Sequence, residues 1–202
     1  IWLATIAFIG FTSIDQLLLN ARLGVKAVGL YDPPFRLVAT TQLLANAVVS
    51  AVCPRLTADR ETASRIFDRA LRALLALYAV GSLVVFALSH EIVAGMLGPD
   101  YARSADVLRW FLPYMVMIGI SSFVSVSLNY LGAAAGRGRI AIAALAVNAV
   151  ADLALIPTVG LIGPAIGTGI AFALYVAGHV VLCRRELDFS LRRAGRSLAV
   201  AL

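Results

Sequence analysis

Charge is scarce in this chain. Only 14% of its 202 residues are Asp, Glu, Lys or Arg, against about 25% in an ordinary soluble domain. Cysteine is limited to Cys53 and Cys183, and histidine to His90 and His179. None of these has metal-ligand spacing, so the cysteines read as structural thiols and no metal or other cofactor is expected. The two histidines fall near expected helix ends and read as structural. There is no Gly-x-Ser-x-Gly elbow and no glycine-rich phosphate loop, so no enzyme signature is present. Lysine is reduced to Lys26, and Arg supplies the other 16 basic residues.

What the chain has in abundance is apolar residue. The hydrophobic share is 61% and the mean hydropathy +0.91, which points to an all-α polytopic membrane protein. The net charge of +6 would suggest nucleic acid in a soluble chain. Here the positive-inside rule and an anionic inner leaflet explain it, and nucleic acid is excluded as a partner. The chain opens at Ile1 inside an apolar run with no basic segment before it, which does not read as a signal peptide. It stops as another apolar run begins, so it reads as part of a longer protein.

A membrane-crossing helix needs roughly 20 mainly apolar residues. Six stretches qualify: 1–20, 35–54, 67–89, 106–132, 139–157 and 161–183. Pro157 is expected to close the fifth and Pro113 to kink the fourth. The apolar piece 91–98 is too short to span and is placed at the interface. Residues 184–202 are expected to form a basic, amphipathic tail that leads toward a further helix. Twelve arginines lie at 54–72, 133–139 and the tail, against five basic residues elsewhere. With six spans those three places share one side, which makes that side and the tail cytoplasmic.

Ionisable residues inside such helices are the informative ones, since an unpaired charge in lipid is costly. Asp15, Arg22, Arg36, Arg109 and Asp152 are the candidates. The functional reading has them line a water-filled cavity. The plainer reading has Asp15–Arg22 and Asp106–Arg109 as local ion pairs with Arg reaching the interface. Uncharged polar residues also recur at i, i+4 spacing: Gln42, Asn46 and Ser50; Ser121, Ser125 and Asn129; then Asn148 with Asp152. One such stripe is ordinary helix–helix hydrogen bonding, whereas three in six helices favour a shared substrate-facing surface. Gly163 and Gly167 form a small-xxx-small pair, read as close helix packing.

Four stretches in order carry a family likeness. They are the Asp15 helix with Val28-Gly-Leu-Tyr31, then Arg36-Leu37 leading to Cys53-Pro-Arg-Leu56. Leu97-Gly-Pro-Asp-Tyr101 follows with Ala105 and Leu108, and then Asn148 through Gly169 with its Pro-x-x-Gly-x-x-Gly turn. Together they resemble the C-terminal half of the polysaccharide-biosynthesis flippases. Those are the Wzx-like O-antigen and exopolysaccharide transporters of the multidrug/oligosaccharidyl-lipid/polysaccharide exporter superfamily. The sequence departs from the pattern at Asp152, where Asn is usual, at Val159 in place of Tyr, and at Pro164.

The resemblance implies one six-helix lobe of a two-lobed, 12- to 14-helix transporter in the bacterial inner membrane. It implies alternating-access movement of an undecaprenyl-pyrophosphate-linked oligosaccharide for cell-surface polysaccharide. Membrane lipids, and the polymerase and glycosyltransferases of such a route, would be the partners. Arg36 falls where related flippases carry a cavity arginine, and its fork suits phosphate oxygens. The alternative within the superfamily is a cation-coupled multidrug exporter, for which Asp15 and Asp152 speak. A membrane scaffold without transport is the reading from another class, and the polar stripes weigh against it.

Overall fold

The computed structural model describes residues 2–187, and side chains from Gly10 onward except 11, 12 and 135. The residues expected to form most of the amphipathic tail lie outside the described range. Among the described residues there are helices and turns and no strand. Helix α1 is Trp2–Leu23, α2 Val25–Thr40, α3 Gln42–Val52, α4 Arg60–Ala87 and α5 Ser89–Leu97. Then come α6 Ala102–Trp110, α7 Leu112–Tyr130, α8 Arg137–Val159 and α9 Gly163–Glu186.

Among the described residues four helical stretches are long and apolar enough to cross a membrane: Val25–Thr57, Arg60–Ala87, Leu112–Tyr130 and Arg137–Glu186. The last contains α8 and α9, which pack on one another as a hairpin. α7 is the central element, with 61% of its apolar core buried against 17–28% in the other three. It packs against α3, α4 and α9, while α1 lies on α8. Leu77, Val80, Leu83, Val84 and Phe86 of α4 are exposed, as side chains facing lipid tails would be.

Several boundaries differ from the sequence reading, each for a local reason. The helix expected from residue 35 begins at Val25 and carries Pro33 and Pro34 inside it. Pro34 has no N–H for the carbonyl of Leu30, and Ser104 Oγ of α6 donates to that oxygen at 2.7 Å instead. The stretch expected at 106–132 is two helices broken at Phe111. Pro113 does not kink a helix interior; it sits in the first turn of α7, where its missing N–H costs nothing. Pro157 does not close α8, which runs on to Val159. The stop is Gly160, whose φ of 66° side chains disfavour.

Two thiols fix how the ends of the bundle are arranged. Cys53 Sγ lies 3.6 Å from Ser127 Oγ, and Cys183 Sγ donates to the carbonyl of Val124 at 3.4 Å. The α3–α4 link, the end of α7 and the end of α9 therefore share one end of the bundle. The α8–α9 turn packs on α1 and α2 at the other. Between the ends runs an aromatic seam. Tyr31 and Phe35 of α2 meet Phe111 with centroids at 5.1 and 5.7 Å. Tyr114 meets Phe172 edge-on at 4.7 Å, and Phe172 meets Tyr175 at 5.8 Å.

Candidate functional site

Four helices converge on the carboxylate of Asp15, which is 1% exposed. Asn148 Nδ2 of α8 donates to its Oδ1 at 2.6 Å, and Thr168 Oγ1 of α9 donates to its Oδ2 at 2.6 Å. Tyr31 Oη of α2 donates to the same Oδ2. Asn148 also donates to Asp152 Oδ2 at 3.3 Å, one helical turn along α8. Asn148, Asp152 and Thr168 have no exposed surface at all. Asn148 Nδ2 bridges the carboxylates of Asp15 and Asp152.

The hydrogen-bond balance of this cluster is uneven. The hydroxyls of Tyr31 and Thr168 and the amide of Asn148 all donate into the carboxylates. Asp152 Oδ1 and Asn148 Oδ1 remain buried with no donor. A buried acceptor without a partner costs about 1–3 kcal/mol, more when charged. Five convergent side chains thus present two carboxylates and a surplus of acceptor oxygens. That chemistry takes up a proton or a small cation and has no place for an anion. Among the described residues no group of three or more His, Cys, Asp or Glu gathers.

Glycine makes room for the arrangement. A Cβ on Gly167 would stand 2.4 Å from Asp152 Oδ1, and one on Gly163 would stand 2.8 Å from the backbone of Leu155. Gly163 therefore serves close packing, as its spacing implied. Gly167 does more, because it leaves the space that the Asp152 carboxylate occupies.

The other sequence candidates lie elsewhere. Arg36 is 74% exposed and pairs with Asp32 at 2.5 Å, and Gln16 donates to the same Asp32 at 2.5 Å. Arg22 and Asn46 are exposed. The local pair expected between Asp15 and Arg22 does not form: Asp15 turns inward to α2, α8 and α9, while Arg22 lies exposed. Arg109 bonds Ser89 at 2.7 Å, lies 5.3 Å over the Phe86 ring and is 4.0 Å from Asp106. Gln42 reaches across to Ser122 of α7 at 2.7 Å, a residue outside the Ser121, Ser125 and Asn129 stripe. Asn129 accepts from Arg137.

Of the nine candidates the structure brings together Asp15, Asn148 and Asp152. Sequence reasoning missed Tyr31 and Thr168 as members. Tyr31 entered only as part of the Val28-Gly-Leu-Tyr31 motif, and Thr168 lay unremarked inside the stretch from Asn148 to Gly169.

Among known proteins, no family model matches this chain. It is similar to two proteins of Haloferax volcanii. One is named a probable low-salt glycan biosynthesis flippase, Agl15, and is 20% identical over 174 residues, covering 84% of this chain and 37% of that protein. The other is named a probable flippase, AglR, and is 24% identical over 181 residues, covering 86% of this chain and 38% of that protein. The chain thus spans less than two-fifths of the length of either relative.

Proposed function

We propose that this chain is one six-helix lobe of a flippase that carries lipid-linked oligosaccharide across the cytoplasmic membrane, coupled to binding of a proton or small cation. The spans are α1, the α2–α3 rod, α4, the α6–α7 pair, α8 and α9, with α5 at the interface. The arginine-rich end of the bundle faces the cytoplasm. The observation that carries the coupling is the acceptor surplus around Asp15, buried where a scaffold would need no polar group. The glycan side of the reading is supported by the two relatives and by the motif order. An undecaprenyl-pyrophosphate carrier is the form the family likeness implies. Arg36, exposed on α2, is the group in this lobe offered to the carrier phosphate.

Reconstitution of the full-length protein tests this reading. Vesicles loaded with a fluorescent lipid-linked oligosaccharide should show flipping that depends on an ion gradient. Asp152→Asn should abolish the gradient dependence, and Arg36→Ala should slow flipping while insertion stays normal. Gradient-dependent flipping that survives Asp152→Asn would remove the cluster from the mechanism. The cation-coupled drug exporter is favoured by the same carboxylates. Efflux of a lipophilic cationic dye with no movement of the lipid-linked sugar would establish that reading instead.

A further inference from the structure

A second polar centre lies at the arginine-rich end, and its balance is the reverse of the first. Arg137, the first residue of α8, turns its guanidinium into the bundle. Nε and one terminal nitrogen donate to Ser125 Oγ at 3.0 and 2.7 Å, and the other terminal nitrogen donates to Asn129 Oδ1. Ser125 is 4% exposed and five residues inside the Tyr130 end of α7, about 7 Å into the span. Tyr175 Oη of α9 donates to the same Ser125 Oγ at 3.1 Å.

Every acceptor around Arg137 is neutral. Among the described residues no carboxylate pairs with it. A guanidinium has five N–H donors, and three are used here. The N-terminus of α8 adds positive character, because Gly136 offers no side-chain cap to its first amides. A half-buried cation without a counter-ion, on a helix N-terminus, has the electrostatics of an anion site.

His179 supplies an independent observation. Its ring lies against Tyr175 with centroids 4.2 Å apart, and Nδ1 is 2.8 Å from the Tyr175 carbonyl. A carbonyl only accepts, so Nδ1 carries the hydrogen and Nε2 is a bare acceptor. That Nε2 is buried with no protein donor, on a residue with 0% exposure, and the ring stacks on the Tyr175 that bonds the same Ser125 as Arg137. The centre therefore has spare cationic donors for an anion and an acceptor for a hydroxyl.

We propose that Arg137, the α8 N-terminus and His179 bind a lipid headgroup that joins a phosphate to a hydroxyl-bearing group, the phosphate on Arg137 and a hydroxyl on His179 Nε2. A glycosylated polyprenyl pyrophosphate and phosphatidylglycerol are two lipids with this chemistry. For the first, the inference rests on the flippase reading and makes this centre the loading point for substrate. For the second, it is a regulatory lipid site that stands without that reading.

The test uses the purified full-length protein in detergent and measures lipid binding by native mass spectrometry. The probes are a short-chain glycosylated polyprenyl pyrophosphate, phosphatidylglycerol, phosphatidic acid and inorganic pyrophosphate. Arg137→Gln should weaken every phosphorylated lipid by about tenfold or more, the usual scale of a charge-assisted bond. His179→Phe should weaken the two hydroxyl-bearing lipids severalfold and leave phosphatidic acid unchanged. Wild-type affinity in Arg137→Gln would overturn the site, and equal loss of all lipids in His179→Phe would overturn the role of Nε2. Should Arg137→Gln fail to fold, Arg137→Lys keeps the charge without the fork and should bind severalfold more weakly; unchanged binding again overturns the site. Binding of inorganic pyrophosphate alone, with no lipid bound, also overturns it. Binding that persists in a protein with no flipping refutes the flippase and leaves the site intact.

Discussion

The Asp15 cluster and the Arg137 centre share two helices, α8 and α9, and have opposite deficits. Around Asp15 every donor is used and acceptor oxygens are left over. Around Arg137 donors are left over and no carboxylate among the described residues answers them. The first deficit is buried where bulk water does not reach, while the second lies at a half-buried end of the bundle. A surplus of acceptors specifies a cation, and a surplus of donors specifies an anion. Thr168 and Tyr175 are seven residues apart on α9, about 10 Å along its axis. Phe172 lies between them in the aromatic seam. Polar residues alone would have grouped the two centres as one cavity wall; the count of unmet partners separates them.

The largest expected effect comes from emptying the first centre. Asp15→Ala strands the hydroxyls of Tyr31 and Thr168 and the amide of Asn148, at about 1–3 kcal/mol for each buried donor. A melting curve of the full-length protein should show a collapse. Asp15→Asn keeps the shape and removes the charge, so it should stay folded and lose ion-coupled transport. If Asp15→Ala melts like the wild type, the cluster does not hold these helices together.

Gly167→Ala is next. Its new methyl must displace the Asp152 carboxylate, with an overpacking cost of about 1–3 kcal/mol. Gly29→Ala makes the control, because nothing lies within 4 Å of a Cβ there. Equal melting temperatures for the two variants would contradict the tight fit at Asp152.

Ser125→Ala probes the second centre with a smaller loss, about 1 kcal/mol for a hydrogen bond. It should lower lipid binding without touching ion coupling. Loss of ion coupling in Ser125→Ala would merge the two centres into one.

The smallest effect belongs to a charge outside both. Asp59 caps α4 by accepting the Thr62 N–H at 3.0 Å, which holds its carboxyl below the usual carboxylate range. A depressed value means the cap stabilises above that range and is lost as pH falls through the folded value. Asp59→Ala should therefore melt slightly lower than wild type at neutral pH, and the gap should close in acid. A gap that widens in acid would reverse the sign.

Much of the first centre was legible in the sequence, because Asp15, Asn148 and Asp152 are polar interruptions in apolar runs. Tyr31 and Thr168 were not, since each suits its local surroundings and becomes a ligand only through a neighbour far along the chain. Arg137 was read as one of many topology charges. Nothing local distinguishes it from Arg139 beside it, which is exposed. The break at Phe111 was hidden because Pro113 read as a kink inside one long helix rather than as the first turn of a new one. The start of α2 was hidden because Pro33 and Pro34 sit inside the helix, and the donor that satisfies the freed Leu30 carbonyl comes from Ser104, far along the chain.

That rescue and the bonds to Asp15 have a consequence for synthesis. A ribosome delivers this chain to the membrane in order. The Leu30 carbonyl enters 74 residues before the Ser104 that will satisfy it. Asp15 enters 133 residues before Asn148 and 153 before Thr168. Until α8 and α9 are made, α1 carries a carboxylate whose partners on those helices do not yet exist. Nascent chains arrested before Asn148 should leave α1 extractable by alkali, and chains released after Thr168 should hold it fast.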